Sequence, residues 1–169
     1  MITKVEKEKL SLKNILKKNL FTLGIISFCF LVDRFTKIKI LKLNPDINKI
    51  FLNDFINIDL VWNTGIGFGL LSFDATMFYH LISALILLII IYLIYLMVTY
   101  DSAGKFIIAI IIGGAVGNFF DRLTYFAVPD FIDFHVGTYH WFTFNVADIF
   151  ISLGIIIMIV KEIFFKKNL

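Results

Sequence analysis

The chain has 169 residues, 59% of them hydrophobic, with a mean hydropathy of +0.89. Soluble domains hold about 45–50% apolar residues, so the excess points to lipid as the solvent, and the length fits one membrane-embedded domain over residues 1–169 with no separate soluble module. The net charge is only +3, which argues against nucleic acid as a partner, and the single cysteine, Cys29, excludes an internal disulfide and a multi-cysteine metal cluster.

Residues 1–19 read as a Lys-rich cytoplasmic leader. The apolar run behind them is a retained helix and not a cleaved signal, because Phe28 stands where a small residue would precede a lipid-modified cysteine, and Asp33 and Arg34 follow closely. A membrane helix needs about 20 mostly apolar residues. Four segments qualify, at about 20–36, 77–98, 103–123 and 141–160, with a tight turn at Thr99–Gly104. The fold class expected is an all-α polytopic membrane protein of four transmembrane helices with a small extracytoplasmic β-sheet. The sheet would come from segments 37–76 and 124–140. Ile56, Ile58, Leu60 and Trp62 alternate with Asn57, Asp59, Val61 and Asn63, the period of a strand. Gly65, Gly67 and Gly69 mark a turn or bulge. Phe131, Asp133 and His135 share another strand face, and Gly137-Thr138 closes a hairpin before the fourth helix.

Four spans put both termini on one side. That side carries 10 basic residues against 4 acidic, and the other carries 6 against 9. Positive charge favours the cytoplasm, so the termini are expected there.

The polar residues of the spans gather at their outer ends. Asp33 and Lys37 are spaced i, i+4 and share a helix face. Gly114, Asn118 and Asp121 line one face of the third span; Asn145, Asp148 and Ser152 line one face of the fourth. Ionisable groups at membrane depth are costly and usually face an interior cavity. Asp33 with Arg34 or Lys37, and Asp121 with Arg122, read as structural ion pairs. Gly113 and Gly117 form a GxxxG suited to helix contact. Asn63 caps a turn or orients a site. Trp62 and Trp141 read as interfacial anchors, and His80 as an interfacial residue. His135 and His140 lack partners at metal-ligand spacing, so no metal is expected.

Asp133 and Asp148 stand apart because no basic residue lies beside them in the chain except His135. An apolar setting disfavours an ionised carboxylate. Two such groups brought together can share a proton, one acting as base on a water and the other polarising a scissile carbonyl. Plain loop and helix-start carboxylates are the bland alternative. No GxSxG elbow offers a competing nucleophile.

These residues sit in motifs that resemble the lipoprotein signal peptidase (signal peptidase II) family over about residues 19–165: DRFTK at 33–37, NTGIGFG at 63–69, GGAVGNFFDR at 113–122, FIDF at 131–134 and FNVAD at 144–148. Each motif alone is weak, and the ordered set is specific. The resemblance implies an aspartic endopeptidase without metal or cofactor. It would remove signal peptides from diacylglyceryl-modified bacterial prolipoproteins, cutting before the lipidated cysteine. It implies catalytic roles for Asp133 and Asp148, substrate-binding or orienting roles for Asn63, Gly114, Asn118 and Asn145, and structural polar roles for Asp33, Lys37, Asp121 and Arg122. It also implies a monomer in the bacterial cytoplasmic membrane, among membrane lipids, with its site near the outer leaflet. Gly67, where the family usually has Ala, and the Lys-rich leader depart from the pattern. The rival reading is a small transporter or channel with a carboxylate relay, but the inner halves of the spans, ALILLIIIYLIYLM and IIIMIV, are apolar. A non-catalytic scaffold explains the spans and not the clustered aspartates.

Overall fold

The structure is a computed structural model that describes residues 4–43, 49–65, 75–100 and 102–164. Four helices and four strands follow in the order α1 (Lys4–Leu41), β1 (Ile50–Asn53), β2 (Ile56–Asn63), α2 (Ala75–Thr99), α3 (Ser102–Tyr125), β3 (Val128–Val136), β4 (Tyr139–Phe144) and α4 (Val146–Phe164). The chain is mostly helical but not all-α, because the strands form one antiparallel sheet of order β1-β2-β3-β4.

The expected leader and first span are one helix. Residues 4–20, KVEKEKLSLKNILKKNL, contain no Gly or Pro and are rich in helix formers, so nothing separates them from the apolar run. At 1.5 Å per residue, 38 residues reach roughly 57 Å, about twice a hydrocarbon core. The fourth helix begins at Val146 and not near Trp141, since Tyr139–Phe144 is a run of aromatic and β-branched residues that pairs with β3. Gly67 and Gly69 lie outside the described residues. By length and composition, two helical stretches among the described residues are long and apolar enough to cross a membrane, Tyr79–Thr99 and Ala103–Tyr125.

Helix α3 is the hub and packs against α1, α2 and α4. Its contacts need small residues. A methyl group on Gly113 would lie 2.6 Å from Cys29 Cβ in α1, and one on Gly114 would lie 2.6 Å from the Ala147 carbonyl oxygen in α4. A methyl group on Gly117 would lie 2.6 Å from Asp33 Oδ2, so the GxxxG of Gly113 and Gly117 is a contact surface against α1, and Cys29 is buried in it. Helix α2 is the outermost, with Met77, Leu81, Leu85, Leu88, Tyr95 and Val98 all exposed. An apolar face of this kind is stable only against lipid or another apolar surface.

In the sheet, Asn57 pairs with Asp133, Ile58 with Ile132 and Val61 with Asp130, with an irregularity in β2 between Ile58 and Val61. The β3–β4 hairpin closes over Gly137-Thr138, as the sequence indicates. Gly137 has φ +60° and Thr138 does not have positive φ, the pattern of a type II′ turn. Successive side chains on β3 point to opposite faces. Asp130 and Asp133, three residues apart, therefore face opposite ways.

Candidate active site

The site rests on a buried ion network at one end of α1 and α3. Lys37 is fully buried and uses all three ammonium protons, donating to Asp33 Oδ2 (2.9 Å), Asn118 Oδ1 (2.8 Å) and Asp121 Oδ2 (2.6 Å). Arg34 pairs with Asp121, lies 3.5 Å from Asp33 Oδ2 and stacks over the Phe120 ring. Two cations balance two carboxylates, the condition for tolerating buried charge. The cations of Asp121 are thus Lys37 and Arg34, and not Arg122 as adjacency in the chain indicates. A side chain next in sequence on a helix points about 100° away, whereas Lys37 is brought across from α1.

This network fixes the neighbouring amides. Because Lys37 donates to Asn118 Oδ1, the other end of that amide, Nδ2, is turned to Asp148 Oδ1 at 2.7 Å. Asp33 Oδ1 accepts from the backbone N–H of Ala147 at 3.0 Å, tying α1 to the first turn of α4. Asn145 is the N-cap of α4. Its Oδ1 accepts from Asp148 N (3.2 Å), while Asp148 Oδ2 accepts from Asn145 N (3.0 Å), a reciprocal capping box. With its oxygen held there, Asn145 aims Nδ2 at Asp130 Oδ1, 2.6 Å away. Asn63 completes the group. Its Oδ1 accepts from Gly65 N (2.8 Å) and its Nδ2 donates to Asp130 Oδ2 (2.9 Å).

Asn145 therefore bridges Asp130 and Asp148. Neither carboxylate is in an ion pair among the described residues, in contrast to Asp33 and Asp121. Burial pushes the Asp130 carboxyl above its ordinary value. The bonds from Asn63 and Asn145 oppose that push, and the Asp148 charge adds to it.

Asp133 has a different setting. It accepts from Asn57 Nδ2 (3.1 Å), has His140 Nδ1 at 2.8 Å and Lys49 Nζ at 3.3 Å, and shares no bonding partner with Asp148 among the described residues. Burial alone would raise its carboxyl, but the bonds from His140, Asn57 and Lys49 outweigh burial and bring it down to about 2. The expectation that Asp133 lacks a cation is corrected here. The β3–β4 hairpin sets His140 beside it, and Lys49 approaches from the start of β1. The available signal for Asp130 is the strand period, which lets only one of the two aspartates face the helices.

The remaining expected residues fall near the site. Gly114 faces Ala147 in the first turn of α4. Arg122 is buried, with Nε and Nη1 lacking a hydrogen-bond partner among the described residues. Its guanidinium faces Gly65, where an added Cβ would meet Nη1 at 3.0 Å. Beside Asp148, a cavity of about 470 Å³ is lined by Phe142, Phe144, Ile149, Ser152, Leu153 and Ile156. Among the described residues, no group of three or more His, Cys, Asp or Glu is placed to hold a metal ion.

The family model described as Signal peptidase (SPase) II matches residues 25–164. The chain belongs to the signal peptidase II family. A lipoprotein signal peptidase of Pelagibacter ubique is 47% identical over 162 residues, 95% of each chain. One from Francisella tularensis subsp. novicida is 40% identical over 121 residues, 69% of this chain and 75% of its own length. A bacterial membrane enzyme solved by the in meso method at 1.9 Å resolution superposes with a TM-score of 0.73 at 28% identity, covering 88% of this chain and 94% of that one. Signal peptidase II is an aspartic protease, and the chain is an enzyme of that type. The channel reading is not favoured.

Proposed function

We propose that Asp130 and Asp148 are the catalytic dyad of a signal peptidase II that cleaves diacylglyceryl-modified bacterial prolipoproteins just before the lipidated cysteine. The observation that carries this reading is the Asn145 bridge: its side-chain Nδ2 donates to the Asp130 carboxylate and its backbone N–H to the Asp148 carboxylate, and neither carboxylate has an ion-pair partner among the described residues. A water between them gives a proton to Asp148 and adds to the scissile carbonyl carbon, while Asp130 gives its proton to the carbonyl oxygen. In the breakdown step the C–N bond breaks, the Asp148 proton passes to the leaving nitrogen, and Asp130 takes its proton back. The raised carboxyl of Asp130 suits the proton-donating half.

Asn118 and Asn145 orient the dyad, and Asn63 holds Asp130 from the sheet. Arg122, with Nε and Nη1 unpartnered among the described residues, is assigned to backbone carbonyls of the substrate. The apolar cavity beside Asp148 suits the apolar flank of a lipid-anchored substrate. Asp33, Lys37 and Asp121 hold the scaffold, and Gly114 admits α4. We place all four helices across the bacterial cytoplasmic membrane. The charge asymmetry supports cytoplasmic termini and a site near the outer leaflet. Purified protein in detergent should cleave a diacylated prolipoprotein and leave its unacylated precursor intact. Equal cleavage of the two would remove the lipid from recognition.

A further inference from the structure

The face of β3 that carries Asp133 opens on a second cavity, of about 450 Å³, lined by Lys49, Phe51, Asn57, His135, Gly137 and His140. His135 is buried, yet neither of its ring nitrogens has a hydrogen-bond partner among the described residues. Asn57 donates to Asp133 through Nδ2, but its buried Oδ1 lacks a partner among the described residues. A buried polar group left unpaired costs about 1–3 kcal/mol. Three unpaired atoms around one cavity indicate a polar ligand. Lys49 and His140 are partly exposed, so the cavity is reachable from outside.

The charges select the ligand's sign. Lys49 Nζ lies 3.3 Å from Asp133 Oδ2 and 3.4 Å from His140 Nε2, so an ammonium sits where a divalent cation would need to bind. The Asp133 oxygens are taken up by His140, Asn57 and Lys49. What remains toward the cavity is the Lys49 ammonium, which His140 Nε2 holds from 3.4 Å, and the N–H of His135. Donors converging from two segments match an oxyanion with several acceptor oxygens. The unpaired Asn57 Oδ1 calls for one hydroxyl on the same ligand. A phosphate monoanion supplies that hydroxyl, and so does the glycerol of a phosphatidylglycerol headgroup.

We propose that this cavity is a phosphate-binding site, on the face of β3 opposite Asp130, with Lys49 and His135 as donors, His140 positioning Lys49, and Asn57 as acceptor. The proposal does not depend on the dyad. The chain has three histidines, and the third, His80, is exposed on α2 and serves as an internal reference.

Histidine ring resonances of the full chain in detergent are followed as inorganic phosphate replaces chloride at fixed ionic strength and pH. His135 and His140 should shift saturably while His80 stays still. In Lys49→Gln the apparent Kd should weaken by about tenfold or more, with prolipoprotein cleavage unchanged. His140→Asn, also at a partly exposed position, gives a second reading of the same loss. Nanodiscs of phosphatidylcholine with and without phosphatidylglycerol separate the sources. A lipid-dependent shift displaced by inorganic phosphate assigns the headgroup, and a shift with inorganic phosphate alone assigns the free ion. The proposal is overturned if neither probe moves His135 and His140, if both variants keep the wild-type response, or if only zinc produces it.

Discussion

Asp130 and Asp133 lie on one strand, yet their surroundings are opposite. Asp130 meets two neutral amides and the charge of Asp148, and its carboxyl is pushed up. Asp133 meets a lysine, an imidazole and one amide, and its carboxyl falls to about 2. A proton donor needs the first environment, and a fixed anion needs the second. Both residues are buried, so burial alone does not separate the catalytic candidate from the structural one. The partners that strand parity brings to each side do.

The largest expected effect tests that contrast directly. Asp130→Asn and Asp148→Asn should each lower prolipoprotein turnover by roughly 10²–10⁴-fold or more, the range for loss of a positioned acid or base. Asp133→Asn should keep turnover near that of the wild type. The measurement is single-turnover cleavage of a diacylated substrate, with folding checked by melting. An active Asp130→Asn beside a dead Asp133→Asn would reverse the two faces.

Much of this arrangement is legible in the chain. The apolar runs mark α2 and α3, the alternation over residues 56–62 marks β2, and Gly137-Thr138 marks the hairpin. The i, i+4 spacing of Asp33 and Lys37 gives their ion pair, found at 2.9 Å. What is not legible depends on non-local pairing. The Asp121 carboxylate takes its cations from α1, 84 residues away for Lys37, and not from Arg122 beside it. Asp133 looks free of cations in sequence because His140 and Lys49 reach it only through the sheet. The aromatic run at 139–144 has the apolarity of a span, and only its pairing with β3 reveals a strand.

The next effect in size separates the dyad from the ion network beneath it. Lys37→Met would leave Asp33 and Asp121 buried with Arg34 as the remaining cation in contact. Breaking a buried pair costs about 3–5 kcal/mol, so melting in detergent should fall sharply. Turnover should fall with it, because Asn118 loses the contact that aims its Nδ2 at Asp148. Asp130→Asn removes one of two like charges around Asn145 and should melt no lower than the wild type. An unstable Asp130→Asn beside a stable Lys37→Met would mean the dyad and the scaffold have been exchanged.

The smallest effect is a pH signature, with opposite sign on the two faces of β3. The Asp133 carboxyl is lowered from the ordinary 3.8 to about 2. The stability it contributes is present above the ordinary value and is lost as pH falls through about 2. That lowering corresponds to roughly 2 kcal/mol. The melting temperature of Asp133→Asn should lie below that of the wild type near neutral pH, and the two should converge in acid. Asp130 is raised, so its contribution runs the other way. It is present while the carboxyl is protonated and is lost as pH rises through the raised value. Wild type should therefore lose stability relative to Asp130→Asn as pH rises, while it gains stability relative to Asp133→Asn. Melting curves of the three proteins across one pH series in the same detergent read both slopes. Parallel slopes for the two variants would mean that the two faces of the strand do not differ electrostatically.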